Sequence, residues 1–228
     1  MKKFRQLVIP YIVWSVLMLL LPMLLIAMYS FMKQGNSILP FKLTIHNYVK
    51  FFTDKDFLMI LLRSLLIAVK TTIICLLLGY PLAYFIAKTP EKKRNNLILL
   101  ITLPMWINML VRTYAWIGLL SNDGLFAWIF SLFGFKHVEL LYTETAVLIG
   151  MVYNFLPFMV LPIYNTLIKI DSNVINAAKD LGANNIQTFT RVIFPLSLPG
   201  VISGITMVFV PALTTFVISD LLGGAKIL

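Results

Sequence analysis

The chain has 228 residues, 60% of them apolar and only 12% charged, and its mean hydropathy is +0.90. A soluble chain of this size needs far more polar surface to cover its core, so a globular domain is excluded and a multi-span membrane protein is implied. The net charge of +10 would suit nucleic acid, and the placement of the charges decides that question.

Crossing roughly 30 Å of hydrocarbon takes about 20 helical residues, and five apolar runs are long enough. The first is 7–32. The Met1-Lys-Lys-Phe-Arg5 ahead of it resembles a signal-peptide start, but the run is too long and lacks a small-x-small cleavage site, which predicts an uncleaved anchor. A mixed segment follows, with a short helix predicted over 45–52. The second run is 65–87. It holds the single cysteine, Cys75, so no disulfide framework or metal cluster is available. The third is 97–120, the fourth 145–167 and the fifth 195–219. Pro22, Pro81, Pro157 and Pro162 fall inside these runs and mark kinks or breaks.

With the N-terminus inside, the inner segments carry Lys2, Lys3, Arg5, Lys88, Lys92, Lys93, Arg94, Lys169, Lys179 and Arg191 against Glu91, Asp171 and Asp180. The outer segments carry Lys33, Lys42, Lys50, Lys55, Lys136 and Lys226, balanced by Asp54, Asp56, Asp123, Glu139, Glu144 and Asp220. Arg63, Lys70 and Arg112 lie at or within the runs. The basic excess therefore follows the positive-inside rule, with a cytoplasmic N-terminus, and nucleic acid drops out.

The inner segment 168–194 is the least apolar long stretch, and 172–200 reads SNVINAAKDLGANNIQTFTRVIFPLSLPG. Val174, Ala177, Ala178 and Leu181 recur at three- and four-residue spacing, which predicts a short helix with one narrow apolar face. Gly182 permits a left-handed turn that ends it. Asn184 or Asn185 can cap a second short helix, and Pro195 and Pro199 bend the chain back toward the membrane. Such a helix either lies on lipid headgroups or docks a protein partner. Without aromatic anchors and with little basic charge it suits the second role better.

Ala177-Ala178, Gly182, Ile193 and Pro195 resemble the EAA loop of ABC importer permeases. The resemblance implies an all-α fold of the type I importer kind, with a sixth span beyond residue 228. It also implies that 168–194 holds a coupling helix seated in a groove of a cytoplasmic ATPase. Asn176, Ala177, Ala178, Asp180, Leu181 and Gly182 would carry that contact; Asn176 stands where the family usually has glutamate.

Three further stretches are similar to the polyamine (spermidine/putrescine) branch of that family: LTIHNYVKFF (43–52), RSLLIAVKTTIICLLLGYPLAYFIAK (63–88) and LPMWINMLVRTYAWIGLLSNDG (103–124). Arg112-Thr-Tyr-Ala-Trp116 is the most branch-specific part. This likeness implies a bacterial inner-membrane assembly of two related permeases, two ATPase subunits and an extracytoplasmic polyamine-binding protein. No cofactor is then expected on this chain, with ATP and Mg on the ATPase partner.

The motifs agree with a non-enzymatic subunit. There is no G-x-x-x-x-G-K-[ST], and Gly223-Gly-Ala-Lys226 is not a phosphate loop. Neither H-E-x-x-H nor G-x-S-x-G occurs, and His46 and His137 sit in outer loops away from any acid or serine cluster. The alternatives are an importer permease for another small solute or ion, an ion channel, and a membrane hydrolase.

For the path, counting 1.5 Å per residue places Trp106, Asn108, Tyr153, Asn154 and Phe209 near mid-membrane. Aromatic faces and amide oxygens there can replace the hydration of a polyammonium ion, at about 0.5–2 kcal/mol per cation–π contact. Helix packing is the competing role for each. Asp220 is the carboxylate at the outer membrane edge. Gly200-x-x-x-Gly204, with Ser197 and Ser203, predicts a close-packing face.

Overall fold

The computed structural model describes residues 2–32, 44–134 and 139–224, with side chains from Val8 onward. Lys33, Lys42, Lys136, His137, Lys226 and the C-terminal Ile227-Leu228 lie outside the described residues. Every regular element among those described is helical apart from an isolated bridge at Met32. Among the described residues, five stretches are long and apolar enough to cross a membrane: Val8–Ser30, Lys55–Lys88, Met109–Leu132, Glu144–Leu167 and Asn185–Thr214. The chain divides into two units, 1–61 and 62–228.

In the first unit, α1 (Lys2–Ser30) contains Pro10 and Pro22, and α2 (His46–Thr53) is short. The last carbonyls of a helix lack partners within it, and here a side chain of α2 supplies them. Asn47 Nδ2 donates to Ser30 O at 3.0 Å and to Met32 O at 2.9 Å. The Ser30 and Tyr48 hydroxyls are hydrogen bonded, and the Phe31 and Tyr48 rings lie 5.3 Å apart.

The second unit is built around α7. α3 (Lys55–Lys88) enters it from residue 62 and carries Pro81. At 34 residues it is about 51 Å long, so the run 65–87 is the inner part of a longer helix. The third run is not one helix. α4 (Glu91–Thr102) passes into a 3-10 turn, Leu103–Trp106, and the backbone is extended at Ile107 and Asn108 before α5 (Met109–Leu120). The reason is local chemistry: Pro104 suits the first turn of a helix, and the Asn108 side-chain Oδ1 accepts from Leu110 N at 2.8 Å, starting a fresh helix. A tight turn at Ser121–Gly124 then leads into α6 (Leu125–Leu132), so the crossing stretch falls on Met109–Leu132 and not on 97–120.

α7 (Glu144–Leu167) is capped by Thr143, whose hydroxyl accepts from Ala146 N. Val147, Met151, Met159, Val160 and Ile163 on α7 are fully buried, a continuous apolar ridge against α3, α10 and α11. Beyond it come α8 (Ser172–Asp180), α9 (Asn185–Thr188), a π-helical stretch (Phe189–Ile193) and α10 (Phe194–Thr214). The fifth run also differs from expectation. It stops at Thr214, turns through an extended Thr215, and resumes as α11 (Val217–Gly223), which packs on α5 and α7.

Close packing depends on glycines at the contacts. Met159 of α7 sits in a notch between Gly79 of α3 and Gly204 of α10. A Cβ on Gly79 would lie 2.9 Å from Met159 Cγ, and one on Gly204 would lie 2.8 Å from its Sδ. At Gly200 the same atom would meet Thr166 Oγ1 at 2.5 Å and Pro162 O at 2.7 Å. The small-residue face of α10 is thus a helix-packing face, as membrane helices without a hydrophobic driving force between them require.

Candidate functional site

The stretch after α7 is folded by its own side chains. Asp171 caps α8 by accepting from Asn173 N at 2.9 Å. At the other end Gly182 has φ +85°. Gly182 N donates to Lys179 O at 2.8 Å and Ala183 N to Ala178 O at 3.0 Å, the paired bonds of a Schellman ending. Nothing lies within 4 Å of a Cβ added there, so the glycine is needed for backbone conformation and not for space. Of the two asparagines it is Asn184 that starts α9. Its side chain accepts from Gln187 N at 2.8 Å, and Gln187 Oε1 accepts from Asn184 N at 2.9 Å, a reciprocal capping box.

These caps fix which face of α8 is free. Ile175 and Ala178 are half-buried toward the chain, whereas Val174, Ala177 and Leu181 are exposed, Leu181 at 89%. Asn176, Lys179 and Asp180 are exposed beside them. An apolar strip at i, i+3, i+7 spacing thus has no partner among the described residues.

The segment is also tied to the bundle. Phe189 of the π stretch stands edge-on to Tyr80 and Tyr84 of α3, with centroids at 5.9 and 5.3 Å. The Tyr80 hydroxyl is 2.9 Å from the Ser197 hydroxyl of α10. Lys88 Nζ lies 4.4 Å over the Tyr84 ring. The stretch after α9 is thus joined to α3 and α10 by edge-on ring contacts and by the Tyr80–Ser197 hydroxyl pair.

The residues expected at mid-membrane do not form one group. Trp106 ends the 3-10 turn and is 77% exposed; Asn108 is occupied capping α5. Tyr153 is exposed and meets Trp116 of α5 edge-on at 5.4 Å, and Trp116 stacks on Phe126 of α6 at 6.1 Å. The structure therefore brings together Tyr153, Trp116 and Phe126. Trp116 was visible in sequence only as part of the Arg112–Trp116 motif. Asn154, the sequence neighbour of Tyr153, is 2% exposed: Nδ2 donates to Gly150 O at 2.7 Å, and Oδ1 is buried without a hydrogen-bond partner. Phe209 is partly buried against the core, and Asp220 is exposed in the first turn of α11.

Two further features are charged. Arg112 has Nε and Nη1 buried without partners. Lys70 of α3 forms an ion pair with Glu144 in the first turn of α7. Sequence reading missed that pair because the residues are 74 apart; its available signal was a cation within one run and an acid at the edge of another. Among the described residues no three His, Cys, Asp or Glu come together as a metal site.

The protein-family description "Binding-protein-dependent transport system inner membrane component" matches residues 79–227. The spermidine/putrescine transport system permease protein PotB of Salmonella typhimurium is 42% identical over 228 aligned residues, covering 98% of this chain and 79% of that protein. PotB of Haemophilus influenzae is 40% identical, covering 99% of this chain and 80% of its own length. Among solved structures, a bacterial ABC transporter involved in the import of the acidic polysaccharide alginate aligns with a TM-score of 0.70, at 19% identity, over 92% of this chain and 73% of that one. That likeness is one of fold. With a multi-span helical bundle, a capped helix presenting a free apolar strip and these matches, the chain belongs to the family of binding-protein-dependent transport system inner membrane components.

Proposed function

We propose that this chain is the permease subunit of an ATP-driven importer, forming half of a translocation path for polyamines. One observation carries the coupling role. α8 is held rigidly between an aspartate cap and a glycine turn while its Val174–Ala177–Leu181 strip faces away from the chain. A strip whose central residue carries only a methyl group fits a groove in another protein and binds lipid poorly. Support for the cargo comes from the 42% identity to a spermidine/putrescine permease over nearly the whole chain. Fold alone does not choose it, since the alginate importer shares the fold with a cargo of opposite charge.

In this reading the N-terminus and α8 face the cytoplasm, in keeping with the excess of Lys and Arg on that side. Two ATPase subunits dock against α8 of this chain and the equivalent helix of a second, homologous permease. They hold the ATP and Mg. A polyamine-binding protein delivers cargo to the opposite face. Asn176, Ala177, Ala178, Asp180, Leu181 and Gly182 make or shape the ATPase contact. Trp106, Asn108, Tyr153, Asn154, Phe209 and Asp220 border the path.

The test is reconstitution of the four components in vesicles with labelled spermidine or putrescine. Uptake that requires both ATP and the binding protein is expected. A complex that conducts without ATP would make the chain part of a channel, and ATP-driven uptake of another solute in place of polyamine would correct the cargo.

A further inference from the structure

The Lys70–Glu144 ion pair has a chemical character that packing alone does not require. Lys70 lies 18 residues before Lys88 on α3, about 27 Å along the helix axis. Glu144 opens α7, where the helix N-terminus favours a carboxylate. The pair therefore bridges two helices at the end of the bundle remote from α8. The two side chains are 49% and 47% exposed, so the pair contributes little to stability, on the order of 0–1 kcal/mol. Charged side chains on membrane-spanning helices are rare and mark ion or substrate pathways by default.

The identity of the cation is informative. A lysine side chain is a primary ammonium on a stem of four methylenes, which is also the end group of putrescine and of one arm of spermidine. We propose that Glu144 is the outer docking carboxylate for the cargo's terminal ammonium, and that Lys70 occupies it as an internal surrogate until cargo displaces it. This rests on the polyamine reading given above. An exchange of one aminobutyl ammonium for another keeps the carboxylate neutralised throughout, with the released Lys70 ammonium passing to solvent from its half-exposed position, so cargo is accepted without a deep well that would trap it. The surrogate also rejects neutral and anionic solutes, which cannot compete for the carboxylate.

The experiment uses the complete transporter in nanodiscs and measures three quantities: ATP-dependent polyamine uptake, saturable tritiated-spermidine binding without ATP and without the binding protein, and thermal stability. Lys70→Met removes the competitor and should tighten binding by about fivefold, whereas Glu144→Gln should weaken it by about tenfold, the loss of one charge-assisted contact. Both variants should melt within a few degrees of the parent, as half-exposed pairs do. Opposite signs are the signature, because a structural strut loses the same contact from either side. If both variants shift binding in the same direction, or neither shifts it, or Lys70→Met shows no saturable binding, the surrogate role is overturned while uptake by the parent still supports the polyamine reading. If the parent transports no polyamine, both fall together.

Discussion

The hydroxyl of Tyr80 on α3 meets the hydroxyl of Ser197 on α10 at 2.9 Å, inside a cluster that also holds Phe189 and Phe194. The bond joins the helix that ends at Lys88 to the one that follows the α8–α9 segment.

Tyr80→Phe keeps the ring stack and removes only that bond. Interhelical hydrogen bonds in membranes average about 0.6 kcal/mol, so the variant should stay inserted with a small loss of thermal stability. If the bond transmits coupling, more ATP will be hydrolysed per polyamine imported, and Ser197→Ala should show the same rise. The double variant should be no worse than either single one. An unchanged stoichiometry in all three would leave coupling to the aromatic stack alone.

α8 offers a sharper test. Ala177→Arg places bulk and charge on the exposed strip and should strip the ATPase from the purified permease without lowering membrane abundance. Ala178→Arg should do so as well, with some loss of stability because Ala178 is half-buried. Gly182→Val forces a β-branched residue into φ +85° and should abolish docking by reorienting the helix end, whereas Gly182→Asn should retain much of it. Asn176→Glu should be tolerated, since the position is exposed. Full recovery of ATPase with Ala177→Arg would remove α8 from the interface.

Helix packing predicts a contrast between glycines. Gly204→Val drives a branched side chain into Met159, whose Sδ and backbone oxygen lie 2.8 and 3.2 Å from the added Cβ. Overpacking of this kind costs about 1–3 kcal/mol, and Met159→Ala in the same chain should recover part of it. Gly118→Ala, with nothing within 4 Å, should be neutral or stabilising by up to about 1 kcal/mol, since alanine is the better helix former. Thermal unfolding of the detergent-solubilised protein reads both, and equal effects would refute the notch.

What the residues reveal in advance depends on the range of the interaction. Span number follows from run length, because every backbone group in lipid must be bonded within a helix. The turn that ends α8 follows from Gly182 and the start of α9 from Asn184, which act within a few residues of themselves. The break at Ile107–Asn108 was equally local, but the apolar character of 97–120 conceals it: hydropathy cannot distinguish Asn108 as a cap from Asn108 as a lining residue. Contacts between distant segments left no periodic signal. Lys70–Glu144, Tyr80–Ser197 and Trp116–Tyr153 join helices 37 to 117 residues apart in sequence, and each depends on the rotation of both helices about their axes.

That rotation also bears on the path. Tyr153 and Asn154 are adjacent, yet one is exposed and the other lies within the bundle with Oδ1 unpartnered. Tyr153, exposed and edge-on to the partly buried Trp116, offers an aromatic face to whatever occupies the space beside α7, and such a face holds an ammonium at about 0.5–2 kcal/mol. Trp106→Ala and Tyr153→Ala should each lower polyamine uptake severalfold at unchanged membrane abundance. Asn154→Ala should lower uptake too, if helix rotation during the cycle turns its free carbonyl toward the cargo. Asn154→Leu separates that role from packing: it fills the site with apolar volume, so a variant that is stable and transports normally assigns Asn154 to the core alone. Normal uptake by the Trp106, Tyr153 and Asn154 alanine variants together would place the path on other faces of the bundle or on the second permease.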